Sequence, residues 1–595
     1  MKRVLFIIFA LPIFITASAQ LEREVEVTKQ YVPKLPPARK MDMIPDMVDT
    51  VAIRPEIDYT ISPKSFDSAL TSEKFRPATV TYWEYVKHYP FYIKAGAGYP
   101  LVTELDAYAS TNRADVGYLS VYINHRGSFS DIKVDNPFTA EKYCTNSKQM
   151  SNRIGFNGGK YIGRYTLNGD IFYSSDAFHR YAQPAAAEEG ADVIDEINYE
   201  DIGVKLNFGD SFSDMKRLNF NIYATANYYN DKSDQWQQPA YGLLTGDSSS
   251  EELPSTGEPI AVDRKVQQLD MSFGLLFGRK IGNRAVVKAA VEYQGYYGMK
   301  FTKGYKNNLI GGYVAYEYHH TKLFDVKAKL GYMFDNIPSV DGKARHHLLP
   351  ELYAGFNIKN NGTFVPYVEV DSKLSNNSYK HLQQINPYVM LYDNEYAATP
   401  NSLTYNMRAG FSGHTLNNMF AYRLYANAAF ITDALYWYNV SNIGFDFKTA
   451  RQNVYSLAVS LEYKPLSSLY IGVGLQGFIY KDFIEEDIQN GKPNFEGNLG
   501  IRYTHRKFAV GATAELIGAR SWSFIGQQAE GVDQYTMQSH TYPACVDLGI
   551  TFDWFVSKQC TIYIEGRNLA NAKIYDWALY RRLGVGGLAG IKVQF

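Results

Sequence analysis

The sequence predicts an all-β protein: a transmembrane antiparallel β-barrel of about 22 strands, preceded by a short, extended, proline-rich segment. Three observations predict it. The chain ends in Ile591-Lys592-Val593-Gln594-Phe595, alternating apolar and polar up to a terminal aromatic. It begins with an export-type segment. Between the two ends, short alternating segments are joined by connections that are short and long by turns.

At the N-terminus, Lys2 and Arg3 precede an apolar run from Val4 to Ile15, and Ala17-Ser18-Ala19 stand before Gln20. This is the layout of a cleavable secretory signal, so residues 1–19 are expected to be removed near Ala19 after Sec-type export. The apolar core is too short for a spanning helix, and no Cys follows Ala19 to carry a lipid. Residues 20–88 contain Pro33, Pro36, Pro37, Pro45, Pro55, Pro63 and Pro77, which interrupt any long helix or strand. They are expected to be extended, either as a periplasmic tether or as filling for the barrel lumen.

The barrel is expected over residues 89–595, with its first strand near 89–99. In Arg217 to Tyr229, Leu218, Phe220, Ile222, Ala224, Ala226 and Tyr228 oppose a polar set that includes Asn219, Asn221, Thr225 and Asn227. In Phe324 to Asp335, Phe324, Val326, Ala328, Leu330, Tyr332 and Phe334 oppose Asp325, Lys327, Lys329 and Asp335. One face suits lipid and the other a polar lumen, and about 9 to 11 tilted residues cross a bilayer. Tight hairpins are predicted at Pro465 to Ser468 and at His505-Arg506-Lys507. Long polar loops are predicted around 127–149, 176–197, 231–262, 375–402 and 518–541. Alternating direction from the first strand returns the C-terminus to the periplasm. The terminal positions Ile591, Val593 and Phe595 form the expected assembly signal for the barrel-assembly machinery.

Composition is compatible with this reading and excludes several others. Mean hydropathy is below zero, but barrel strands show lipid only every second residue, so the average excludes nothing. No apolar run of about 18 residues follows the signal. Aromatic residues make up 15% of the chain, with 49 Tyr, and a ring with a polar tip fits a membrane interface. Sixty basic residues against 61 acidic ones leave no basic footprint for nucleic acid. Cys545 and Cys560 fall at opposite ends of a predicted hairpin, on the order of 30 Å apart at the strand rise, too far for a disulfide.

The stretch Ile562 to Phe595 carries Asn568-Leu569 with Asn571, then Tyr575, an aromatic loop through Trp577 and Tyr580, then Gly584 and a glycine-rich last strand. It resembles the C-terminal end of TonB-dependent receptors. Residues 347–432, with Asn360-Asn361-Gly362 and Asn386-Pro387, look like the middle of the same barrels. The resemblance implies an outer-membrane transport barrel in contact with lipid. It also implies a plug domain of well over a hundred residues, for which 20–88 is too short, so a plugless variant is expected. Glu24-Val25-Glu26-Val27-Thr28 looks like the family's short TonB-contact motif.

A lumen of this width has to be occupied by the N-terminal segment, by loops or by a partner protein. Arg164, Asp170, Lys327 and Lys329 are expected to line it. Two roles follow. One is a transport pore gated by its N-terminal segment or a partner. The other is a non-transporting scaffold subunit of an outer-membrane complex for assembly, secretion or surface-protein handling. The pairs His319-His320 and His346-His347 are read as surface histidines rather than a metal site. Gly584 to Ala589 is read as small residues in a closing strand, not a nucleotide fingerprint. His125 with Ser128 and Ser539 with His540 are adjacent by sequence only. No catalytic, cofactor-binding or metal-binding residue is nominated, and no enzyme activity is expected.

Overall fold

The computed structural model describes residues 89–595 except 114–115, 136–141, 182–195, 211, 213, 234, 238–259, 263–264, 301, 320–322, 338–344, 359–360, 391–398, 416–417, 441–443, 485–487 and 526–536. The expected signal, the segment 20–88 and the Glu24–Thr28 match lie outside the described residues. The wall is a closed antiparallel barrel of 22 strands, running from Phe91–Tyr99 to Gly586–Gln594. Among the described residues no helix is long and apolar enough to cross a membrane.

Alternation sets the two faces. In Phe324–Asp335, whose limits match the sequence reading residue for residue, Leu330 points outward and is 58% exposed. Lys329, one residue away, points inward and donates to Glu351 at 2.8 Å. The strand expected over Arg217 to Tyr229 runs over Asn219–Asp231, because the residues before Asn219 turn back to cap the hairpin. The predicted hairpins form between Gly444–Leu466 and Leu469–Phe483, and between Phe495–Thr504 and Phe508–Ile517.

The barrel closes by pairing its first and last strands, from Tyr92↔Gln594 to Tyr99↔Gly587. Here the small residues have a steric reason. A Cβ on Gly98 would lie 1.9 Å from the Gly587 carbonyl oxygen, and one on Gly590 would lie 2.1 Å from that of Ala95. Phe595 stacks on Phe91 with ring centroids 5.2 Å apart. Behind the seam Lys94 and Glu104, both buried, form an ion pair, and Glu565 lies 3.8 Å from the same ammonium.

Connections at one end of the barrel are two to eight residues long; the long ones all lie at the other end, where the turns after Phe91–Tyr99, Ala285–Lys300 and Phe420–Val440 are the short exceptions. Around the short-turn end the outward faces carry a ring of aromatics: Tyr318 against Phe324, Phe324 against Phe356, Phe364 against Phe411, Tyr503 against Phe508, and Phe508 against Phe552. Above it the outer surface is an apolar belt including Val314, Leu457 and Ile564. The long connections are more ordered than a reading as polar loops implies. The one after Gly117–Ser128 contains the hairpin Asp131–Asp135/Lys142–Asn146. The one after Phe508–Ile517 contains Arg520–Ile525 paired with Met537–Tyr542. The one after Val365–Ser375 contains the helix Tyr379–Ile385.

Candidate functional site: a loop canopy across one mouth

The largest apolar core lies in the long loops, not in the wall. Ile132, Val134, Tyr181, Ile197, Tyr229, Tyr305, Tyr379, Leu382, Tyr388, Trp437, Phe445, Trp522, Phe524 and Leu579 form one contiguous buried cluster. These residues come from loops and strand ends spaced around the circumference, so the cluster spans the mouth.

Its crosspiece is the strap 376–390. It leaves the wall at the end of Val365–Ser375, and its helix docks on the ends of Glu196–Asp210, Asn219–Asp231 and Val266–Ile281, with Ala285–Lys300, Lys306–His319, Phe324–Asp335 and Arg345–Phe356 lying between along the wall. Seven residues are too few for a helix to hold itself together, so its partners fix it. The Tyr379 hydroxyl donates to Asp231 Oδ2 at 2.6 Å, and Gln383 Nε2 donates to the same oxygen at 3.1 Å. Lys380 Nζ donates to both oxygens of Asp201 at 2.9 Å and stands 3.8 Å from Asp270.

Beyond the helix the strap reaches other parts of the wall. The Tyr388 ring stacks on Tyr580 with centroids 3.4 Å apart, and Tyr181 meets both edge-on. Tyr388 and Met390 exchange backbone hydrogen bonds with Phe445, each 3.0 Å long. Trp577 packs against Trp437, Phe445 and Trp522. Burial pushes the Tyr181 and Tyr388 hydroxyls well above the ordinary tyrosine range, so they stay neutral. Burial likewise lowers the Lys492 ammonium at the rim to about 8, against the pull of Asp482.

One side-chain amide joins the two ends of the last loop. Asn568 Nδ2 donates to the carbonyls of Ala572 and Leu583, and its Oδ1 accepts from the Ala572 N–H at 2.8 Å. This ties the two ends of the aromatic loop together and gives the Asn568 motif a mechanical reason. Arg582 donates to Asp576 and to Glu515. Burial works against its charge, but these carboxylates outweigh it and raise the guanidinium above its ordinary value. Between this loop, the strap and the closing seam lies a cavity of about 400 Å³ lined in part by Gln149, Tyr181, Tyr388, Tyr580 and Arg581.

The residues expected to line the lumen are spread apart. Asp170 accepts from the Tyr122 hydroxyl at 3.1 Å, Lys327 lies 5.9 Å from the Tyr353 ring centre, and Lys329 pairs with Glu351. Arg164 sits in the turn between Gln149–Ile162 and Tyr165–His179, where it pairs with Asp210 at 3.0 Å. Of the terminal signal positions, Ile591 faces outward next to the strand Cys560–Arg567 through Ile562, and Val593 pairs with Cys560. His346 faces outward against Tyr332. His347 departs from the surface reading: strand alternation turns it inward, where it is buried 3.4 Å from Asp335.

His125 is engaged by Thr103 and Asn152, and Ser539 stands opposite Ser523 in the ladder. Among the described residues no group of metal-binding side chains occurs. Sequence reasoning missed Asp201, Asp231, Tyr379 and Lys380. The only signals near them were Asn386-Pro387 and the aromatic loop at Trp577 and Tyr580.

With this geometry in view, comparison with solved structures is informative. The chain superposes on the siderophore receptor PirA from Acinetobacter baumannii with a TM-score of 0.62 and 13% identity, covering 85% of this chain and 80% of that one. The FrpB iron transporter from Neisseria meningitidis gives 0.60 at 11%, covering 86% and 82%. The ferripyoverdine receptor of Pseudomonas aeruginosa gives 0.60 at 9%, covering 85% and 72%. The likeness is one of fold. No family model matches the chain, and no curated protein matches it in sequence.

Proposed function

We propose that this chain is an integral protein of the bacterial outer membrane that works as a gated passage of the receptor type, its outer mouth closed at rest by its own strap. The observation that carries this reading is the strap itself. In a barrel that folds like the iron and siderophore receptors, residues 376–390 cross the mouth and are held by Asp201, Asp231 and Tyr580. The apolar belt and aromatic ring support a bilayer setting, since so large an exposed apolar surface needs lipid against it. Ionic and aromatic contacts on side chains, rather than a continuous ladder, make a closure that can be released without dismantling the wall. Residues 20–88 are proposed to serve in place of a separate plug at the inner end, with Glu24–Thr28 as the TonB contact.

Planar-bilayer conductance tests this directly. The full chain is expected to conduct weakly. Lys380→Ala combined with Tyr580→Ala, which weakens the strap at both anchors, is expected to raise conductance, and deletion of residues 20–88 in that background to raise it further. If no form conducts and the purified chain carries a stable partner protein, the gated passage is wrong and the scaffold role takes its place. Failure of the chain to bind purified TonB would remove the Glu24–Thr28 assignment alone.

A further inference from the structure

One seam in the wall is only half made. The strand Arg345–Phe356 pairs with Phe324–Asp335 without a break from Phe324↔Phe356 to Asp335↔Arg345. Val365–Ser375 pairs with Ser402–Thr415 without a break from Val365↔Ser412 to Ser375↔Ser402. Between the two, only Leu352↔Val370, Tyr353↔Glu369, Ala354↔Val368 and Gly355↔Tyr367 are joined. Among the described residues no ladder pair connects 345–351 with 371–375, in the half of the wall nearest the long loops.

The sequence gives the cause. Pro350 has no N–H to donate, so the ladder stops beside it, and Pro366 ends it at the other side. Side-chain hydroxyls stand in for the missing bonds. Ser372 Oγ donates to the Pro350 carbonyl at 3.0 Å, and Tyr405, reaching over the intervening strand, donates to the Leu348 carbonyl at 2.8 Å. In an apolar medium an unpaired backbone group costs several kcal/mol, roughly, so a wall of this kind normally keeps every pair.

The two sides of the gap differ in chemistry. Outward, Leu348, Leu352 and Val368 are exposed apolar lips. Inward, Glu369 and Asp371 are held by Arg408 at 3.3 and 3.2 Å, and Glu369 also by Arg423 at 3.4 Å. Lys373 shares their face by strand alternation and has no acidic partner among the described residues. An apolar lip backed by an unneutralised ammonium matches a molecule with a hydrocarbon tail and an anionic head. Strands in contact lie about 4.8 Å apart, so a tail passes only where the unzipped half parts, and the smallest parting admits one chain rather than two.

We infer that the seam between Arg345–Phe356 and Val365–Ser375 is a lateral opening for a single-chain anionic amphipath, which passes between lumen and bilayer with its tail along Leu348, Leu352 and Val368 and its head on Lys373. The inference rests on the membrane setting proposed above, but it does not require the mouth to open.

The test uses the full chain with Cys144, Cys545 and Cys560 changed to Ser, in phosphatidylethanolamine vesicles, with a photoreactive diazirine palmitate as probe. Adducts mapped by mass spectrometry are expected to concentrate on 345–352 and 366–374. An excess of palmitate should compete them away and methyl palmitate should not. Lys373→Gln is expected to reduce them about tenfold, the loss of one charge-assisted contact. A Leu348→Cys/Leu374→Cys disulfide is expected to remove adducts on the inward residues Leu349 and Tyr353, and dithiothreitol to restore them.

Adducts spread evenly along the apolar belt, or unchanged by Lys373→Gln and by the disulfide, would overturn the opening. Backbone amides of 345–351 exchanging hydrogen as slowly as those of 324–335 would overturn it too. Ion conductance in the same vesicles separates this from the wider proposal. Conductance with evenly spread adducts sinks the opening alone, while seam adducts without conductance in any strap variant sink the gated passage and leave the opening standing.

Discussion

The barrel has two seams of opposite character, and the weaker one is where the chain is continuous. The first and last strands are separated by the whole barrel in sequence, yet they pair from Tyr92↔Gln594 to Tyr99↔Gly587, interlock through Gly98 and Gly590, and are backed by the buried Lys94–Glu104 pair. Arg345–Phe356 and Val365–Ser375 are neighbours joined by a hairpin, yet their ladder stops at Leu352↔Val370. Nearness along the chain lowers the entropy of bringing strands together, so a hairpin tolerates a broken ladder that the terminal seam cannot. The terminal seam has to be made strong because nothing else closes the barrel.

Four variants test this difference. The largest effect is expected from Gly98→Val, whose side chain would meet the Gly587 backbone in the tight seam. Closure should fail, and the protein should lose the gel shift between heated and unheated samples that marks a folded barrel. Next, Glu104→Gln leaves the Lys94 ammonium buried with a weakened partner. A loss of about 3 kcal/mol is expected for a broken buried pair, read as a lower urea midpoint, and a value near zero would mean the seam relies on glycine packing alone. Third, Tyr405→Phe with Ser372→Ala removes both hydroxyl bridges of the half-made seam. About 1 kcal/mol each is expected, with faster hydrogen exchange confined to 345–351 and 371–375. Smallest and of opposite sign, Pro350→Val restores a donor. Exchange at those amides should slow while overall stability changes by less than about 1 kcal/mol, since the new bond is offset by a freer unfolded chain. Exchange left unchanged would show that Pro350 is not what stops the ladder.

Most of the wall was legible because its signal is local. The strand Phe324–Asp335 and the hairpins at 465–468 and 505–507 follow from period-two alternation, and Gly584 to Ala589 reads as small residues in a closing strand, while the tightest contacts fall at Gly98 and Gly590 beside it. The canopy was not legible, for a physical reason. Tyr379 and Asp231, or Tyr388 and Tyr580, are neighbours only after the barrel has closed, and loop aromatics set among polar residues show no period to read. His347 is buried although its sequence reads as surface, because a strand begins at Arg345 and the pleat turns alternate residues inward. The half-made seam left two local marks, Pro350 and Pro366 inside otherwise regular strands, a residue type that sheets admit where pairing is interrupted.

The strap is the direct continuation of Val365–Ser375, the strand whose ladder has already ended by Val370. Its root is therefore zipped along one edge only, to Ser402–Thr415 as far as Ser375↔Ser402, while side-chain hydroxyls hold the other edge. A pull on the helix Tyr379–Ile385 would load a continuous ladder on one edge of that strand and two hydroxyl bridges on the other, so the lid hangs from a strand free to twist about its zipped edge.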